Sequence, residues 1–195
     1  MHKLYILLVV MLCSSCAQLP RVDIPQADPK KAPAVVFDID GTLTPTVLSV
    51  FTAREDAAEV ARTFAQKGYK IFYLSTRVSW LSAGIPDWLK QNGFPYLPDS
   101  VHVAQEDEDR SHPYDFKKRK LLEFYGRDWE VKFAYGDSST DFAAYAAVGI
   151  PKTQVFALLR DRETWCEWGD WNECLYGWTK HLEFVRKLDP YLPSK

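Results

Sequence analysis

With 195 residues, the chain has room for one well-buried domain rather than two. Its 24 basic and 26 acidic residues leave a formal net charge of −2. That leaves no basic excess to track a phosphate backbone, so a nucleic-acid partner is not expected.

The first stretch, "MHKLYILLVVMLCSSCAQ", sets Lys3 before nine consecutive apolar or aromatic residues, Leu4 to Leu12. Such a run is too short to span a bilayer as a helix, which needs about 20 residues. It suits the apolar core of a secretory signal. Its end, Ser14-Ser15-Cys16, resembles the lipobox of bacterial lipoproteins, with Cys13 where that motif usually has Leu. The resemblance implies a signal over residues 1–15, a lipid on Cys16, and an exported protein anchored in a bacterial cell envelope. If Cys13 leaves with the signal and Cys16 takes lipid, Cys166 and Cys174 remain, eight residues apart. An oxidising compartment would let them pair, and the alternative is two buried thiols. Residues 16–33, rich in proline and without periodicity, read as an extended tether. The folded domain is expected over 34–195.

The domain opens on "AVVFDIDGTLT", an apolar strand that ends in Asp38 and Asp40. Apolar residues at Ala57, Val60, Ala61 and Phe64 predict a helix over 53–67, closed by Gly68. "YKIFYLSTR" predicts a second buried strand over 71–74, running into Ser75 and Thr76. Residues 79–92 read as helical with a break at Pro86, and "SVHVA" as a short strand. A helix over 115–125 begins with basic residues. "EVKFAYGD" predicts another strand ending in a carboxylate, followed by a helix through "STDFAAYAAVG" and a last strand in "TQVFALL". Strands alternating with helices predict an α/β fold, a parallel Rossmann-like sheet covered on both faces.

In such sheets the site lies at the carboxyl ends of the strands. Asp38 and Asp40, Ser75 and Thr76, and Asp137 with Asp141 all stand at such ends. Carboxylates converging on one point repel unless a cation sits among them. Oxygen ligands of this kind suit Mg²⁺, which keeps waters and a substrate phosphate as further ligands. A lysine among Lys117 to Lys120 could reach the same point.

"FDIDGTLT", "YLST", the lysine of "FKKRKLL" and "YGDSSTD" together resemble the four motifs of the haloacid dehalogenase superfamily of phosphotransferases, across roughly residues 34–160. The resemblance implies that Asp38 is a nucleophile forming an aspartyl-phosphate and that Asp40 is the general acid, then base. It implies that Ser75 binds the transferring phosphoryl group and that Lys117 neutralises charge, the Phe-Lys-x-x-x-Leu register selecting Lys117 over Lys118. Asp38, Asp40, Asp137 and Asp141 are its implied Mg²⁺ site, with Asp141 beside the ion or one shell out. Thr42, Thr76 and Arg77 are candidate substrate contacts.

"DIDGT", "GYKIFYLSTR" and "STDFAAYAAVGIP" are narrower still. They are similar to the catalytic domain of lipin-type phosphatidate phosphatases, with Asp137 where lipins commonly carry Asn. This implies a lipid phosphate such as phosphatidate as substrate, and Arg77 as a contact to its head group or as a plain salt bridge. The alternatives are an exported acid phosphatase or nucleotidase, and a silent phosphatidate-binding module. The short spacing of the motifs leaves no room for a large cap, so an open site is expected. Four tryptophans between 165 and 178 read either as an interfacial lobe or as core, with Trp178 onward and His181 expected in the core.

Overall fold

Ala32–Asp38 is apolar without alternation, which suits a strand covered on both faces, and all seven residues are buried. This is strand β1. The structure, a computed structural model, describes residues 18–192. The expected signal and Cys16 lie outside the described residues. The other strands are β2 (Lys70–Ser75), β3 (Val101–Val103), β4 (Trp129–Gly136), β5 (Val155–Leu158) and β6 (Glu173–Leu175). They form one sheet in the order β3-β2-β1-β4-β5-β6. Every neighbouring pair is parallel, as in a haloacid-dehalogenase-like Rossmann sheet.

Because side chains alternate along a strand, β1 feeds two cores. Val35 and Phe37 join α1 (Ala57–Gln66), α3 (Ile85–Gln91) and α7 (Thr179–Lys187) on one face. Ala34 and Val36 join α5 (Pro113–Gly126) and α6 (Ser139–Ala147) on the other. On the first face Phe37 stacks on Tyr135 with centroids 4.9 Å apart, and Trp178 packs 5.8 Å from Phe37. Trp178 also donates its indole N–H to the carbonyl of Thr42 at 3.3 Å, tying the C-terminal segment to the turn after β1. Trp178, His181, Leu182 and Val185 are core, whereas Trp165 and Trp168 are exposed and Trp171 is half-buried.

Three local readings differ. The helical region after β2 breaks at Ala83–Gly84 into α2 (Ser79–Ser82) and α3, not at Pro86. Pro86 lies in the first turn of α3, where its missing N–H has no helical partner to lose. α4 (Asp107–Ser111) and β6 are too short to leave a periodic signal. The stretch expected to be a free tether is irregular, but from Gln18 onward it lies along the domain. Ile24 is buried against the second core, and Trp129 donates to the carbonyl of Pro25 at 2.7 Å. Its scattered apolar residues cover surface that would otherwise face water.

Candidate active site

The turn after β1 is held by one cation and a hydroxyl as well as by the fully buried Ile39 and Leu43. Arg54 donates to the carbonyls of Gly41, Thr44, Pro45 and Leu159, and Thr44 Oγ1 accepts from Gly41 N–H. Gly41 has φ +86°, and a Cβ there would lie 2.7 Å from Asp137 Cγ. Glycine is therefore required, so that β1 and the end of β4 can close on each other.

Beyond that turn an open cleft of about 440 Å³ is lined by Asp38, Asp40, Thr76, Arg77, Lys117, Asp137, Thr140 and Arg160, with Val47, Val50, Val78 and Leu81 along its walls. No inserted domain stands over it among the described residues, since the chain passes from β1 through a loop directly to α1. Lys117, from α5, sits between two buried carboxylates, 2.7 Å from Asp38 Oδ1 and 2.5 Å from Asp141 Oδ1. Lys118 instead lies over the Tyr114 ring. Burial alone would push the Lys117 ammonium towards neutrality, but Asp141 and Asp38 outweigh it and raise its pKa. Asp38 goes the other way: desolvation raises it well above the usual carboxylate range, against the attraction of Lys117 and with repulsion from Asp141, Asp137 and Asp40.

Asp141 is also the third residue of α6 in a capping box. Its Oδ2 accepts from Ser138 N–H and Ser138 Oγ, and Ser138 Oγ caps Asp141 N–H. With both oxygens engaged, Asp141 stands behind Lys117 rather than at the cleft surface. Asp137, just past β4, accepts from Thr42 Oγ1 at 3.1 Å and from Arg160 Nε. Burial and Asp141 push it up to about 6, with Arg160 and Lys117 opposing.

Asp38, Asp137 and Asp141 each offer an oxygen, and these oxygens lie within 4.8 Å of one another. A buried, all-oxygen set in which burial and neighbouring carboxylates push Asp38 and Asp137 up is what a hard divalent cation relieves, so these residues could coordinate one.

Several expected substrate contacts have other partners here. Ser75, expected at the phosphoryl group, is fully buried and donates to Asp40 Oδ2 at 2.8 Å, while accepting from Arg77 N–H. A hydroxyl has one proton to give, and the adjacent carboxylate takes it. Arg77, expected at a head group, forks onto Asp40 with Nη2 at 2.6 Å and Nε at 3.0 Å. Thr42, expected at the substrate, is buried and spends its hydroxyl on Asp137. Thr76 does line the cleft.

Arg160 and Glu167 were not foreseen. Arg160 stands two residues past β5, so the rule that sites gather at carboxyl ends of strands would have reached it had it been applied to the fifth strand. Its Nη1 contacts Glu167 Oε1 at 2.9 Å, and Glu167 Oε2 accepts from Ser139 N–H at 2.8 Å. Burial works against ionisation of Glu167, but the Ser139 N–H and Arg160 outweigh it and lower its pKa. Cys166 and Cys174 form a disulfide that closes the loop carrying Glu167.

A family model described as "PITM 1-3, LNS2 domain" matches residues 35–159. Membrane-associated phosphatidylinositol transfer protein 2 of Homo sapiens is 30% identical over 68% of this chain and 10% of its own length. Protein retinal degeneration B of Drosophila melanogaster is 29% identical over 67% of this chain, again 10% of its own length. The chain thus spans about a tenth of these curated relatives. Among solved structures, a phosphoserine phosphatase from T. onnurineus superposes with a TM-score of 0.51 at 16% identity, covering 84% of this chain and 99% of that one. That likeness bears on the fold alone.

Proposed function

Because the chain belongs to the LNS2 domain family, a lipin-type branch of the haloacid-dehalogenase-like fold, we propose that it is a Mg²⁺-dependent phosphomonoester hydrolase acting on a lipid phosphate such as phosphatidate. The observation that carries this reading is the convergence of Asp38, Lys117 and Asp137 in one open cleft at the carboxyl ends of β1 and β4. The relatives are named as membrane-associated phosphatidylinositol transfer proteins, which supports the lipid class of ligand.

In this reading Asp38 attacks the phosphorus, the P–O bond to the leaving alkoxide breaks, and Asp40 gives that oxygen a proton. Water then attacks the aspartyl-phosphate, Asp40 takes the proton back, and phosphate leaves with Asp38 restored. Lys117 holds Asp38 in place and faces the charge that builds on the phosphoryl oxygens. Ser75 and Arg77 fix the carboxylate of Asp40, and Thr76 faces the substrate. Asp38 and Asp137 would hold Mg²⁺ together with the backbone carbonyl of Asp40, with Asp141 behind them. When bound, the ion supplies charge stabilisation of the transferring group.

The test compares kcat/KM of the purified chain for phosphatidate in mixed micelles, a nucleoside monophosphate and a small aryl phosphate. Excess chelator and Asp38→Asn serve as controls. Phosphatidate should be preferred, and both controls should abolish turnover. Preference for the nucleotide would instead identify a general acid phosphatase. A second reading, a phosphatidate-binding module without turnover, is favoured by the fork of Arg77 on Asp40, which engages the proposed acid. It predicts saturable phosphatidate binding with no phosphate released. We also infer that lipid on Cys16 anchors the domain at the membrane of a bacterial envelope. Cys16→Ser should move the protein to the soluble fraction, and an unmodified mature N-terminus elsewhere would refute it.

A further inference from the structure

Trp168, Leu48, Trp165 and Phe51 are exposed to 92, 87, 79 and 78%, and Trp80 to 61%. Single exposed apolar residues are ordinary on any surface. These are not scattered. Leu48 and Phe51 flank Val50, and Trp80 stands between Val78 and Leu81; Val50, Val78 and Leu81 all line the cleft. Trp165 and Trp168 bracket Glu167, which grips Arg160 on the cleft wall. Three separate segments therefore carry apolar tips around one charged opening. A matching protein surface would have to seat isolated protrusions while leaving the polar centre open. A bilayer accepts the rings between its head groups and offers phosphates to the centre.

A second observation fixes the same side of the molecule. The described chain begins against this rim: Leu19 N–H donates to Ser82 Oγ at 3.3 Å, and Ser82 ends α2, the helix that carries Trp80. Two residues before the described chain begins stands Cys16, the residue proposed above to carry lipid. The Leu19–Ser82 contact lies beside the cleft mouth and not at the opposite end of the sheet, where Trp129 begins β4.

We propose that the rim formed by Leu48, Phe51, Trp80, Trp165 and Trp168 seats on a phospholipid bilayer, with the cleft mouth facing the membrane. The orientation rests on the reading of the cleft as a lipid-phosphate site, but its test does not involve turnover.

The full chain is bound to vesicles of phosphatidylcholine and phosphatidylglycerol with acyl chains brominated near the head group, and tryptophan emission is compared with unbrominated vesicles. Bromine should quench the emission. Trp80→Phe and Trp168→Phe should each remove part of the quenched emission, and Trp129→Phe should remove none. A Leu48→Glu/Phe51→Glu variant, with circular dichroism showing the fold retained, should lower the Trp80 share by about twofold or more as the rim lifts away. Absence of vesicle binding, or quenching indifferent to Trp80 and Trp168, overturns the proposal and leaves the rim as a surface for a protein. If the rim docks but no phosphate is released, the proposed hydrolysis fails while this orientation stands.

Discussion

Replacing Lys117 with methionine separates the charge from the packing of that side chain. Methionine keeps most of the apolar stem but removes the ammonium between Asp38 Oδ1 and Asp141 Oδ1. Both carboxylates are buried, so they cannot recover the loss by hydration. Removing one partner of a buried pair typically costs about 3–5 kcal/mol. That is a large share of the roughly 5–15 kcal/mol that holds a domain folded. The same change should strengthen cation binding. One unit charge about 5 Å away at an effective dielectric near 20 is worth roughly 3 kcal/mol of repulsion on each added positive charge.

Urea unfolding in chelator should therefore show Lys117→Met less stable than wild type by about 3 kcal/mol or more. Saturating Mg²⁺ should narrow the gap, because ligand at about 100 times Kd already contributes about 2.7 kcal/mol and the variant binds more tightly. Lys118→Met, whose ammonium rests on the Tyr114 ring, should stay within about 0.5 kcal/mol. A loss under about 1 kcal/mol at Lys117, or a gap that Mg²⁺ leaves untouched, would refute the claim that this lysine neutralises a cation site.

Asp38→Asn should abolish phosphate release while leaving the unfolding midpoint near wild type, since Lys117 keeps Asp141; turnover above a hundredth of wild type would sink the nucleophile. Gly41→Ala should unfold at lower urea and bind Mg²⁺ more weakly by calorimetry, because the positive φ and the approach of Asp137 both exclude a methyl group. Reducing Cys166–Cys174 should cost about 2.5 kcal/mol for an eight-residue loop, read as a melting shift of roughly 5–10 °C with and without reductant. His181 and His102 are held neutral by burial, pushed down to about 4, with Lys120 adding to the effect at His102. The unfolded chain binds those protons near 6.5, so stability should fall as pH drops from about 6.5 towards 4, by up to about 1.4 kcal/mol per unit for each histidine. His181→Gln should flatten that slope by its share, and an unchanged slope would count against a buried neutral His181.

How much of this was legible in the chain depends on the range of the interactions. The parallel sheet could be read because β1, β2 and β5 each write a continuous apolar run, a local consequence of being covered on both faces, while β4 sets Glu130 and Lys132 among apolar residues before the buried run Ala134–Gly136. The carboxyl-end rule then brought Asp38, Asp137 and Asp141 to one point, and the family register chose Lys117, 79 residues from Asp38 and 24 from Asp141, among the lysines that could reach it. The packed course of residues 18–31 was not legible, because proline-rich sequence reports backbone stiffness and not what Ile24 meets. Neither were α4 and β6, whose five and three residues are too few to repeat a pattern.

The partners of the polar side chains were the least legible. Ser75, Thr42 and Arg77 were assigned to a substrate because their motif positions lie near the chemistry. In the fold each meets a carboxylate first: Asp40 for Ser75 and Arg77, Asp137 for Thr42. A donor at hydrogen-bond distance from a buried or half-buried carboxylate is worth more there than waiting for a ligand, because the unpaired carboxylate would bear its desolvation cost without compensation. Arg160 follows the same logic: it reaches Asp137 and Glu167 across the sheet from β5, a pairing no local pattern records. The cleft is thus a set of carboxylates already met by protein cations, with Lys117 on Asp38, Arg77 on Asp40 and Arg160 on Asp137. A phosphate entering it faces cations whose charge is already shared. Binding must therefore draw either on Mg²⁺ or on a shift of Arg77 or Arg160 from carboxylate to phosphate. Arg77→Lys distinguishes these routes, since lysine keeps the charge but not the fork. If Arg77 turns to the substrate, KM should rise with little change in Mg²⁺ affinity. If Arg77 only holds Asp40, kcat should fall and KM should stay where it was.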